Sequence, residues 1–146
     1  MSQFTKIRDE LKPELRYFEK HFNNTLKSNI PFFSIILNYI LRRKGKQIRP
    51  LLVILSSKIC GIINDQTYNA AAMIELLHTA TLVHDDIVDE SFERRSNFSI
   101  NALWKSKAGV LIGDYLLARG LLIGIRNRMH STLEIISETV EKMSEG

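Results

Sequence analysis

The chain has 146 residues, 45% of them hydrophobic and 25% charged, which gives it enough apolar material for one globular core and excludes a disordered polymer. A single cysteine, Cys60, excludes an internal disulfide framework and agrees with a reducing cytoplasm. Net charge is +4 with a pI near 9.3, which admits anionic partners without naming one. Periodicity is helical nearly throughout, with no alternating apolar and polar run closed by hairpin turns, so the expected fold is all-α in a single domain over residues 1–146.

In chain order, Leu11, Leu15, Phe18, Phe22 and Leu26 recur at three and four and mark an amphipathic first helix after or across Pro13. Asn29-Ile30-Pro31 breaks it, and Phe32 to Leu41 forms a second. Gly45 interrupts the pattern, and a third helix is expected from Pro50 to Cys60, with proline at the first position, where its missing N–H is not needed. Gly61 closes it. Asn64-Asp65-Gln66 offers caps for a fourth helix from about Thr67 through a run of aspartates. Ser91 to Asn97 reads as a polar break. Ser99 caps a helix carrying Trp104, with Lys105-Ser106-Lys107 as a second interruption, and Ala108 to Ile125 continues as an apolar helix. Its glycines, Gly109, Gly113, Gly120 and Gly124, favour close helix approach over phosphate cradling, since no strand precedes them. Thr132 to Ser144 is the last amphipathic segment.

No N-terminal stretch has the order of a signal peptide. The apolar runs 30–41 and 51–63 are broken by Pro31, Ser34, Asn38 and by Ser56, Ser57, Lys58, and are too short to span a bilayer. The expectation is a soluble cytoplasmic protein with no transmembrane segment. Positive charge gathers at Arg42-Arg43-Lys44-Gly45-Lys46 with Arg49, at Arg94-Arg95, and at Arg126 and Arg128. No aromatic residues interleave with these clusters as stacking platforms, so small phosphorylated ligands fit better than nucleic acid.

The chemistry concentrates in His84-Asp85-Asp86-Ile87-Val88-Asp89-Glu90, which packs four carboxylates into six residues at the end of an apolar helical run. On a helix Asp85 and Asp89 share one face and Asp86 flanks it. Repulsion among them calls for a multivalent cation. Hard oxygen ligands without a tetrahedral Cys/His set favour Mg²⁺ over Zn²⁺, and Mg²⁺ shares its shell with waters and substrate phosphates. The bland alternative is a solvated acidic helix end, but Leu76, Leu77, Leu82, Val83, Ile87 and Val88 make this a core helix.

Gly45-Lys46-Gln47-Ile48-Arg49-Pro50 is the second feature. The residue before proline is pushed out of the α region, so Lys46 to Arg49 should be an extended lead-in to a helix N-terminus. Lys46, Arg49 and that helix end could converge on one phosphate, against the alternative of an ordinary basic loop. His78, seven residues before Asp85, points toward the same space.

Gly-Lys-x-x-Arg-Pro, Glu75-Leu-Leu-His78, His84-Asp85-Asp86-Ile-Val-Asp89, Arg94-Arg95, Asn101-Ala-Leu-Trp and Val110-Leu-Ile-Gly-Asp114-Tyr-Leu-Leu, in this order and spacing, resemble the trans-polyprenyl diphosphate synthases. The resemblance implies an antiparallel helical bundle of the isoprenoid synthase type. It implies head-to-tail condensation of isopentenyl diphosphate with an allylic diphosphate. It gives Asp85, Asp86 and Asp89 the role of holding Mg²⁺ on the allylic diphosphate, with Asp85 and Asp89 as direct ligands. It assigns Lys46, Arg49, His78 and Arg95 to isopentenyl diphosphate and Arg94 to the allylic diphosphate, and makes Asp85, Asp86, Asp89 and Arg94 catalytic. Chain length in this family follows the residues just before the first aspartate motif. Thr81 and Ala80 are small here, which implies a medium or long product.

Two departures stand out. After Arg94-Arg95 the family usually continues with Gly, a spacer, Pro and Ser, where this chain has Ser96-Asn97-Phe98-Ser99. A complete synthase is also about twice this size, with a second aspartate-rich motif. The nearest candidate, Glu134, Glu138, Glu141 and Glu145, is spread along one helix face as solvated residues are. The chain therefore resembles the N-terminal half of a synthase, an incomplete bundle whose uncovered apolar faces favour self-association, as a homodimer or by domain swapping. On this reading it would turn over poorly alone. A noncatalytic half-synthase that regulates a full-length partner is the competing reading.

Overall fold

The computed structural model describes the backbone of residues 3–42, 45–93 and 100–146 and the side chains of residues 3–38, 45–88 and 105–146. These residues are helical with no strand among them, in the order α1 (Gln3–Glu10), α2 (Lys12–Thr25), α3 (Pro31–Arg42), α4 (Ile48–Cys60), α5 (Asp65–Glu93), α6 (Ile100–Arg126) and α7 (His130–Glu145). The all-α expectation holds.

The boundaries differ from expectation in instructive ways. The first helix divides at Leu11, and Pro13 lies in the first turn of α2, where a missing N–H costs no bond. Leu11 is itself buried, and its backbone accepts from Leu15 N at 2.9 Å, so the division is a tight turn and not a gap. The helix with Trp104 continues unbroken through Lys105-Ser106-Lys107, because lysine is a good helix former and a single serine costs a long helix little. Residues 91–93 belong to α5, so the polar break begins later than expected; residues 94–99 lie outside the described residues. The caps of α5 are those anticipated: Asn64 Oδ1 accepts from Thr67 N at 3.2 Å while Asn64 N donates to Thr67 Oγ1 at 3.2 Å, a reciprocal box.

α5 is the spine. Its first half closes one cluster with Leu11, Leu15 and Phe18 of the N-terminal segment and Leu51 and Ile54 of α4, through Ala71 and Ala72. Its middle closes a second with Leu26, Leu37, Ile112 and Leu116, through Leu76 and Ala80. The most extensive helix pair is α5 with α6. Glycines on α6 set how closely the pair packs: a Cβ at Gly109 would sit 2.6 Å from Ile87 Cδ1 and one at Gly113 would collide with the His84 ring, whereas one at Gly120 would meet Leu77 at an ordinary 3.4 Å. Partners on α6 rise in number as those on α5 fall, so the two helices run antiparallel. The expectation that these glycines serve helix approach is met at Gly109, Gly113 and, against Leu133 of α7, Gly124.

Lys105–Arg126 is long and apolar enough, by length and composition alone, to cross a membrane, a property that the core helix of a soluble protein shares. One side of α6 does pack on α5, while Val110, Leu111, Leu117, Leu121, Leu122 and Ile125 on its other sides are exposed.

Leu76 is fully buried between α5 and α6 with Leu116 beside it. Leu76→Ala is expected to remove about 2–5 kcal/mol of stability, since the close-packed pair has little room to collapse around the void. Urea unfolding followed by circular dichroism measures it, and a loss below 1 kcal/mol would mean the interface is loose.

Candidate functional site

A cleft of about 750 Å³ opens between α5 and α7, with Arg49 of α4 at its edge. The α5 wall is Ile74, Leu77, His78, Thr81 and Asp85, and the facing wall is Ile135, Ile136, Thr139, Val140, Met143 and Ser144. Spacings of three and four put the α5 residues on one stripe, apolar deep down and acidic at one end. Arg49, His78 and Asp85 thus meet in one concave space.

The path to Arg49 differs from expectation. Gln47 adopts a left-handed backbone, φ 51° and ψ 39°, and α4 begins at Ile48, so Arg49 lies in the first helical turn and not in an extended lead-in. Pro50 tolerates this because it occupies the third helical position, where an N–H has no intrahelical acceptor, and its ring is buried. Lys46 is exposed in the loop before the helix and does not line the cleft.

Asp85 and Asp86 are both exposed, and α5 carries them on successive positions about 100° apart, so Asp85 alone lines the cleft. α5 includes residue 89, but the Asp89 side chain and the whole of Arg94 and Arg95 lie outside the described residues. Among the described residues no group of three or more His, Cys, Asp or Glu side chains forms a metal cage. The donor chemistry nevertheless fits Mg²⁺. Asp85 in the cleft, with Asp86 exposed beside it, offers hard carboxylate oxygens of the kind that suit a cation that keeps waters and completes its shell with substrate phosphates. Glu134, Glu138, Glu141 and Glu145 on α7 are all exposed, the solvated face that their spacing implied.

Thr81 and Ala80 part company. Thr81 lines the cleft, its hydroxyl donating to His78 O at 2.8 Å, whereas Ala80 is buried on the opposite side with Leu26, Leu37 and Leu116. Only Thr81 can meet a ligand in the cleft.

Glu75 was quoted in the sequence motif but given no role. Its side chain is largely buried, Oε2 has no hydrogen-bond partner, and burial raises its pKa above the ordinary carboxylate value against the opposing pull of nearby Arg49. Burial, and then Arg49, lower the pKa of His78, which keeps its imidazole neutral at physiological pH. The available signal was a carboxylate one turn before a cleft-facing histidine on an otherwise apolar stripe.

A second cavity, of about 460 Å³, lies between α2, the start of α5 and the end of α6, lined by His21, Asn69, Arg119 and Arg126 among others. Asn69 and Asp85 are separated on one helix by about 24 Å at 1.5 Å per residue, so this cavity is remote from the aspartates. His21 and Asn69 hold each other at 2.8 Å within it.

Because the folded chain raises the Glu75 pKa above its unfolded value, it binds that proton more tightly than the unfolded chain does. The stabilising contribution is complete below the unfolded pKa and is lost as pH rises through the raised folded value. Glu75→Gln, which stays neutral, is therefore expected to melt higher than the parent at pH 7 and to match it near pH 4. Paired melting curves at the two pH values check this, and an equal shift at both would rule out titration of Glu75 as the cause.

Comparison with known proteins shows the family. The Polyprenyl synthetase family profile matches residues 31–146. The chain is 38% identical over 112 residues to an all-trans-nonaprenyl-diphosphate synthase (geranyl-diphosphate specific) of Rhodobacter capsulatus, covering 75% of this chain and 34% of that one. It is 36% identical over 121 residues to the octaprenyl diphosphate synthase of Escherichia coli, covering 83% and 38%. Among solved structures, a polyprenyl synthase from Caulobacter crescentus, complexed with calcium and isoprenyl diphosphate, superposes with a TM-score of 0.82 at 26% identity over 98% of this chain and 44% of that one. The chain thus spans between a third and a half of the length of these relatives. With its motifs, its helices and these matches in agreement, the chain belongs to the polyprenyl synthetase family.

Proposed function

We propose that this chain is the N-terminal, diphosphate-binding part of a Mg²⁺-dependent prenyltransferase that joins isopentenyl diphosphate to an allylic diphosphate and yields a medium or long polyprenyl diphosphate. The observation that carries the reading is the convergence of Arg49, His78 and Asp85 on one cleft whose remaining walls are mostly apolar. Breaking an allylic C–O bond leaves negative charge on the departing diphosphate and positive charge on the allyl fragment. The two ends of the cleft suit those two charges.

Each residue has a defined task in this reading. Asp85 and Asp86, with Asp89 by family resemblance, would hold Mg²⁺; when bound, the ion neutralises charge building on the diphosphate. Arg49 supplies a permanent cation with paired N–H donors, and neutral His78 supplies one further donor, both for isopentenyl diphosphate together with Lys46 and Arg95. Arg94 takes the allylic diphosphate. Ile74, Leu77, Ile136 and Val140 exclude water from the electron-poor allyl fragment. Thr81, small and facing the cleft, leaves room for a lengthening tail.

Poor turnover by this chain alone, a cytoplasmic location and self-association through the exposed apolar sides of α6 belong to the same proposal. A second reading has one observation in its favour. Heptaprenyl diphosphate synthase component 2 of Bacillus subtilis is 31% identical over 140 residues, covering 93% of this chain and 39% of that one, and its name describes one component of an enzyme. A noncatalytic half that serves a larger partner would look the same in the cleft.

Titration of the chain with geranyl diphosphate, with and without Mg²⁺, is expected to show Mg²⁺-dependent binding. Asp85→Ala should weaken it by roughly tenfold or more, the loss of one charged contact of about 1.5–3 kcal/mol. Equal binding with and without Mg²⁺ would refute the role of the aspartates. Turnover of labelled isopentenyl diphosphate by the chain alone, then with a full-length synthase, separates the readings: enhancement of the partner without turnover alone favours the accessory subunit. Thr81→Phe is expected to weaken binding of farnesylgeranyl diphosphate more than that of geranyl diphosphate, because an aromatic ring would occupy the space of the longer tail. An equal effect on both would place the tail elsewhere.

A further inference from the structure

We infer that Gly113 and Asp114 of α6 form an anchor for the His84 side chain and thereby position Asp85 and Asp86 for their cation. The inference rests on the diphosphate reading of the cleft and adds residues to it from a helix that does not line it.

Three observations meet at this point. A Cβ built on Gly113 would collide with the His84 imidazole, so the ring occupies the space that the absent side chain leaves. His84 Nε2 is buried there without a hydrogen bond of good geometry, and its nearest acceptor is Asp114 Oδ1 at 3.4 Å. His84 immediately precedes Asp85 on α5, so the rotation of that turn about the helix axis is fixed by how deeply the ring sits.

The physical consequence is a lever. Asp85 and Asp86 are exposed neighbours on α5, and their like charges repel one another and favour rotation of that turn. A bulky ring wedged into a backbone notch resists that rotation, as a bond to an exposed side chain alone would not. Ile87 over Gly109 continues the same seam one turn on, with a Cβ there expected 2.6 Å from Ile87 Cδ1. The aspartates therefore face the cation from a turn held by side-chain shape. His84 acts as a positioning residue and touches neither cation nor diphosphate.

The test is Mn²⁺ binding by the 146-residue chain in the presence of inorganic diphosphate, read by electron paramagnetic resonance, with circular dichroism to confirm folding. Gly113→Ala is expected to weaken Mn²⁺ binding by roughly 10- to 100-fold, the range for loss of a group that orients metal ligands. Asp114→Ala, a change at an exposed residue that leaves the fold intact, should act in the same direction, and Asp114→Asn should restore binding because it keeps an Oδ1 beside the ring. In a His84→Ala background Gly113→Ala should have no further effect. Gly120→Ala, beside Leu77 on the same helix, should bind as the parent does.

Wild-type Mn²⁺ affinity in folded Gly113→Ala, or an equal loss with and without the His84 ring, overturns the anchor while leaving the diphosphate reading intact. If Gly113→Ala does not fold, wild-type affinity in Asp114→Ala overturns it. A parent chain that binds no Mn²⁺ overturns the diphosphate reading, and the anchor's role falls with it.

Discussion

The close approach of α5 to α6 is the constraint on which the rest of the molecule depends. Two helices can share so long a contact only if one of them gives up side chains along the seam, and α6 does so at Gly109 and Gly113. Glycine inside a helix costs roughly 0.5–1 kcal/mol relative to alanine through backbone entropy. The cost is offset because His84 and Ile87 reach the space that is freed. With α5 fixed on that side, its opposite stripe is free to line a cleft.

That cleft divides its tasks by depth. Its acidic residue comes from the C-terminal half of α5 and its guanidinium from the first turn of α4, while the hydrocarbon surface comes from the middle of α5 and the length of α7. Charged and apolar surfaces are thus kept apart along one helix. Glu75, buried near Arg49 and short of a hydrogen-bond partner, is the point where polar chemistry intrudes on the apolar part.

Helical periodicity and the aspartate pattern were legible in the sequence because both are local: spacing of three and four decides which residues share a face. The same arithmetic placed His78 and Asp85 together. It failed at Arg49, where the rule for a residue before proline pointed to extended backbone; a left-handed Gln47 turns the chain early enough for Pro50 to fit inside the helix. It treated Ala80 and Thr81 alike, although adjacent helical positions face different surroundings. The α7 wall of the cleft was not legible at all, since residues about 60 positions apart meet there only through the turn at Arg128 and Met129. Nor did any local pattern pair His84 with Gly113.

The left-handed backbone at Gln47 also limits how this sequence can drift. A half-buried glutamine in a loop is ordinarily free to vary, and nothing about its side chain would stop substitution. At φ 51° the cost lies in the backbone instead: glycine and asparagine enter easily, while valine, isoleucine and threonine crowd their own carbonyl and proline is barred outright. Variation at position 47 is therefore filtered by one dihedral angle, and that filter protects the direction in which the Arg49 guanidinium leaves the helix.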